Sequence, residues 1–128
     1  MLSIRNLSTL SFLGFTAVLF GAFGAHALRE KLSPELFHAW QTGVEYQFYH
    51  LLAYSFCSLL PIRENRFSKP GFWFLMGIFF FSGSLYLIGL LSLIGIKLAF
   101  IGILTPLGGL FFMIGWILIL PIWKFKNV

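Results

Sequence analysis

Between residues 34 and 50 the sequence PELFHAWQTGVEYQFYH sets polar side chains at helical spacing, and these are the groups best placed to do chemistry. On a helix His38, Gln41, Thr42, Glu45 and Tyr49 share one face at intervals of three and four residues, with Tyr46 and His50 beside it. Glu45 carries the most weight. A carboxylate at the edge of apolar sequence is costly unless it faces partners, so it is a functional hypothesis by default. In one reading it bonds to His26, Tyr49 or Gln41 and locks two helices together. In another, His26, His38, Glu45 and His50 hold a metal. Their types suit zinc or ferrous iron, but no two histidines lie four apart and H-E-x-x-H is absent. A proton relay through Glu45, Tyr49 and His50 is a third reading, although no polar path continues beyond Ser55. Haem ligation by His26 and His50 would need both imidazoles to face one gap, and binding of a lipid headgroup, ion or small molecule is a further option. The structural reading leads. The candidate polar site is therefore His26, Glu45, Tyr46, Tyr49 and His50, with no metal or cofactor expected.

The elements that must position these groups are apolar. Of the 128 residues, 59% are hydrophobic, 20% aromatic and only 10% charged, and mean hydropathy is +0.90. A soluble domain carries roughly a quarter charged residues, so the composition is that of one integral membrane bundle. The net charge of +5 comes from residues at the ends of apolar runs rather than from a basic face. That distribution fits topology signals and anionic lipid, and gives no reason to expect nucleic acid. The single cysteine, Cys57, lies inside an apolar run and excludes a disulfide within the chain.

Four apolar runs predict an all-α bundle of four transmembrane helices, at about residues 7–28, 44–62, 71–92 and 98–123. The first run is too long for the apolar core of a signal peptide, about 7–15 residues, although Ala25-His26-Ala27 resembles a cleavage site. Within it Gly14, Ala17, Gly21, Gly24, Ala25 and Leu28 form a stripe of small residues suited to close helix packing, from which His26 points away. Ser33, Pro34 and Glu35 open a helix as cap, first residue and dipole partner. Its first part, residues 34–42, is expected as a short interfacial segment between spans one and two. Trp40 would anchor it at the headgroups and Gly43 would mark a bend. The third run carries Ser82, Gly83, Ser84 and Tyr86 as packing and hydrogen-bonding groups. In the fourth, Thr105, Pro106, Gly108 and Gly109 interrupt the helix, and Pro106 should kink it by removing the donor to the Gly102 carbonyl.

With four spans, Arg5, Arg63, Arg66, Lys69, Lys124 and Lys126 lie on one side and only Arg29, Lys31 and Lys97 on the other. The excess predicts an inner-membrane protein with both termini cytoplasmic, and His26, Glu45 and His50 at similar depth near the outer face. No G-x-S-x-G, no aspartate and no phosphate-binding glycine loop is present, so no enzyme is expected.

Four motifs carry a family resemblance: GAFGAHAL at residues 21–28, TGVEYQFYH at 42–50, FSGSLY at 81–86 and TPLGG at 105–109. In this order they resemble the domain of unknown function 423 family, whose eukaryotic relatives are described as transmembrane protein 256-like. The resemblance implies a four-helix membrane protein of bacterial type and no assigned activity, so it brings no catalytic residues. The expected role is structural, membrane-organising or accessory, in a homo-oligomer or a larger membrane complex. The alternative is a small transporter or channel component using His26, Glu45 and His50.

Overall fold

A computed structural model describes residues 3–59 and 69–120, and every regular element in that range is helical. Helix α1 spans Ile4–Phe23 and continues through a π-helical turn, Gly24–Leu28. Helix α2 spans Pro34–Leu59. Helices α3 (Pro70–Gly77) and α4 (Gly83–Leu93) are joined by a second π turn, Ile78–Ser82, into one rod. Helix α5 spans Ile101–Ile119. Three of these, Ile4–Leu28, Pro70–Leu93 and Ile101–Ile119, are long and apolar enough to cross a membrane. The second expected span, residues 44–62, falls on α2, whose described residues do not join them because its polar side chains dilute it. The expected ends of spans two and four, and Arg63, Arg66, Lys124 and Lys126, lie outside the described residues.

Local chemistry explains the helix ends. Ser33 Oγ accepts from the Leu36 N–H at 3.3 Å. The Glu35 carboxyl beside it is held below its ordinary range by its own backbone N–H and then by the Ser33 hydroxyl. Lys69 is extended ahead of Pro70, which opens α3. Helix α4 stops at a left-handed Gly95 (φ 74°), with Ile96 N–H bonded to Leu91 O and Gly95 N–H to Ser92 O, the paired bonds of a Schellman end.

The expected interfacial segment is not a separate element. Residues 34–42 are the first turns of an unbroken α2, and Gly43 does not interrupt it. Its missing side chain instead admits Tyr86, whose ring would stand 3.1 Å from a Cβ, and its carbonyl accepts from Ser82 Oγ at 2.6 Å. Trp40 is not a headgroup anchor either. It is 1% exposed, and its indole fills the space over Gly24 on one side and Gly89 on the other. The N–H donates to the Phe20 carbonyl at 2.9 Å. On α1 the stripe packs as expected at Ala17, Gly24 and Leu28, all buried, while Ala25 is exposed. Helix α5 runs on through Pro106 without ending.

Glycines set the tightest approaches. Gly77 receives the Phe112 ring, Gly115 the Phe74 ring, and Gly108 lies against the Phe81 backbone, so α5 and the α3–α4 rod interlock. Gly109 is looser, with Phe81 3.9 Å from where its Cβ would stand, and Gly21 meets Val44 at 3.5 Å. Gly83 differs from the expectation of a packing glycine: nothing lies within 4 Å of its would-be Cβ. Buried Phe74, Ile78, Phe112, Tyr54 and Cys57 form one core cluster, and Leu28, Leu32, Trp40 and Tyr86 another. The periphery is apolar, with Phe12 66%, Phe79 73% and Ile103 68% exposed, as lipid contact requires.

Replacing Gly108 with Ala should cost about 1–3 kcal/mol, because the neighbouring atoms are backbone and cannot turn aside. Gly83→Ala should be neutral or stabilise by up to about 1 kcal/mol. Unfolding titrations in micelles would compare the two.

Candidate functional site

Helix α2 sorts its polar residues onto two opposite faces. Trp40, Gly43, Gln47, His50, Tyr54 and Cys57 are buried and recur at alternating steps of three and four. His38, Gln41, Glu45 and Tyr49 are exposed on the other side.

Gln47 is the centre of the buried face. It is 2% exposed, and its amide ties three helices. Nε2 donates to the Leu13 carbonyl at 2.8 Å and to Thr16 Oγ1 at 3.0 Å, both on α1. Oε1 accepts from the Tyr86 hydroxyl on α4 at 2.7 Å. The Leu13 carbonyl can only accept, so it decides which end of the amide points to α1. Burial at this site is affordable because each polar atom has a partner. Ser84 and Thr105 hydroxyls lie 2.6 Å apart and join α4 to α5.

His50 is equally committed. Nδ1 lies 2.8 Å from the Tyr46 carbonyl, and the Trp116 indole N–H donates to Nε2 at 3.1 Å. A carbonyl only accepts and an indole only donates, so Nδ1 carries the ring hydrogen. The ring stacks on Phe112 with centroids 3.4 Å apart. Neither nitrogen is open to a metal or to haem iron without breaking one of these bonds. Among the described residues no buried side-chain nitrogen or oxygen is left unpaired, and no group of three metal-ligating residues gathers.

Of the five expected site residues, Tyr46 is brought into ring contact with Tyr49 and His50, whereas His26 and Glu45 make no hydrogen bond to them. Tyr46 stacks on Phe81 (4.6 Å) and touches both Tyr49 (6.0 Å) and His50 (5.7 Å). His26 is exposed in the first π turn, and Glu45 is exposed on the outer face of α2. Neither has a hydrogen-bond partner among the described residues. The expectation of similar depth fails because α2 runs back along α1. Leu51, next to His50, packs on Gly14, so His26 lies twelve residues further along α1, about 18 Å away along the axis. Gln47 does not stand out in the sequence because the conspicuous polar stripe of α2 runs down the other face. The 40–43–47–50–54–57 repeat was the signal that could have found it.

A family model described as a protein of unknown function (DUF423) matches residues 20–109. The chain belongs to this family. It is 37% identical over 115 residues to a UPF0382 membrane protein of Haemophilus influenzae, covering 88% of each chain. It is 36% identical over 106 residues to the UPF0382 membrane protein YwdK of Bacillus subtilis, covering 80% of this chain and 82% of that one. With the UPF0382 membrane protein SSP2132 of Staphylococcus saprophyticus the identity is 40% over 114 residues, covering 86% and 88%. No solved structure matches. The family carries no assigned activity, so the geometry has to speak for itself.

Gln47→Leu should destabilise the bundle by about 1–3 kcal/mol, since it strands the buried Tyr86 hydroxyl and removes both of the amide's bonds to α1. A double-mutant cycle with Tyr86→Phe should show coupling on the order of 1 kcal/mol. Glu45→Gln should shift stability by less than about 0.5 kcal/mol.

Proposed function

We propose that this chain is a non-enzymatic, four-span protein of the bacterial inner membrane with a structural or accessory role and both termini cytoplasmic. One observation carries the role: every buried side-chain nitrogen and oxygen among the described residues already has a hydrogen-bond partner, and Gln47, Ser82, Tyr86, Trp40 and His50 spend theirs on fixing helix neighbours.

The second span is supported by direction. Phe20 meets Tyr86 with centroids 4.7 Å apart, and Phe12 and Phe79 line one groove, so α1 and the α3–α4 rod run side by side in the same sense. If both cross the bilayer, the chain between them has to cross back. Helix α2 is that return, and its 26 residues extend about 39 Å, more than the hydrocarbon core of about 30 Å. Its polar residues are tolerable in lipid where their partners are inside the bundle. The charge excess on the side of Arg5 and Lys69 then orients the termini.

The exposed stripe of His38, Gln41, Glu45 and Tyr49 is the part of α2 that the bundle itself leaves unused. It supports assembly with another copy or a larger complex rather than transport, because His26 and His50 are not beside it.

Single cysteines placed at Ser3 or Ser33 in a Cys57→Ser background test the topology. A membrane-impermeant maleimide added to intact cells should label position 33 and leave position 3 unlabelled until the membrane is opened. The reverse pattern would refute the orientation. Purified protein in liposomes should pass no more protons or metal ions than empty vesicles, and flux abolished by Glu45→Gln would replace the structural reading with transport.

A further inference from the structure

Helix α1 rests on α2 and stops short of closing against the parallel α3–α4 rod. The gap is a groove. Its deeper part is a cavity of about 490 Å³ walled by Phe12, Phe20, Phe79 and Leu87 and floored by Gln47 and Tyr86. Through Phe12, Leu13, Ile78 and Phe79 it continues into a second space of about 480 Å³ that ends at Ser8 and Thr9. Each volume falls in the range of ligand pockets, about 300–1,000 Å³. From Phe20 to Ser8 the groove follows α1 for about 18 Å, close to the depth of one leaflet of a hydrocarbon core about 30 Å thick.

Its chemistry names the occupant. The walls are aliphatic and aromatic, and the polar atoms at the floor are already bonded to each other. Water has little to hold it there, and a hydrocarbon chain fits. Beyond the Ser8 end the sequence supplies two cations at the starts of the parallel helices: Arg5, one turn earlier on α1, and Lys69, directly ahead of Pro70 on the rod. Both are exposed. A phosphate between them would accept hydrogen bonds from a guanidinium and an ammonium group.

We propose that the groove holds one acyl chain of an anionic phospholipid whose phosphate is held by Arg5 and Lys69. This site rests on the four-span reading, which sets both cations at one membrane surface.

Native mass spectrometry of the full chain, released from nanodiscs of equal parts phosphatidylglycerol and phosphatidylcholine, tests it. One phosphatidylglycerol should be retained per chain in preference to phosphatidylcholine. Gly83→Leu should abolish that retention with the unfolding midpoint preserved, because Gly83 borders the groove and has open space over it. Leu87→Trp, at the exposed rim, is a second blocking variant should the first fail to fold. Arg5→Gln should weaken phosphatidylglycerol retention about fivefold. Equal retention of both lipids, or undiminished retention in a folded blocking variant, overturns the proposal. Cysteine labelling keeps the two readings apart: a wrong topology sinks the four-span arrangement whatever the lipid result, whereas a correct topology with unblocked retention sinks the groove site alone.

Discussion

The bundle depends on one constraint, that a polar group buried among hydrocarbon has no water to fall back on. Gln47 meets it with three bonds to two other helices, and the neighbouring contacts follow the same pattern. Ser82 bonds the Gly43 carbonyl, Trp40 the Phe20 carbonyl, and His50 bridges the Tyr46 carbonyl and the Trp116 indole. Each bond crosses between helices or pins a ring that does. Hydrophobic burial cannot distinguish one arrangement of apolar helices from another when lipid is as apolar as leucine. Directional bonds can, so the polar seam of α2 fixes which helix neighbours which and in what register.

Those bonds require short distances, and glycine supplies them. Trp40 reaches the Phe20 carbonyl because Gly24 and Gly89 leave room for its indole. Phe112 stacks on His50 while its edge fills the space at Gly77. The aromatic excess of the sequence and its spread of glycines are thus two halves of one packing device. Pro106 lies within α5 without ending it, and the adjacent Thr105 hydroxyl meets Ser84 across the interface.

Much of this was legible in the sequence. The uncharged runs marked the apolar helices, the Ser33-Pro34-Glu35 cap fell at the start of α2, and the small-residue stripe of α1 named the face that packs. Family membership was readable from four short motifs. Other features were not legible, for a physical reason. Periodicity groups residues by face but does not say which face turns inward. On α2 the more conspicuous polar stripe, His38 to Tyr49, turned outward, and the inward one was disguised by Trp40, Tyr54 and Cys57, which look apolar. Depth is hidden for a similar reason: residues close in sequence on either side of a helical turn separate by 1.5 Å for each step taken down the returning helix. His26 stays at the turn while His50 descends.

Glu45 and Gln47 bring these points together. They are two residues apart and share a depth, yet they occupy opposite faces of α2. Gln47 has three partners, whereas Glu45 has none among the described residues. Val44, beside Glu45, touches Gly21, which lies seven residues before the end of the first helical rod, about 10 Å in from its tip. An outward carboxylate near the end of the helix can reach water by snorkelling toward the headgroups, which is why its replacement should cost the bundle little. The two residues show how one helix divides its polar groups: the inward amide fixes neighbours and register, and the outward carboxylate makes no hydrogen bond among the described residues.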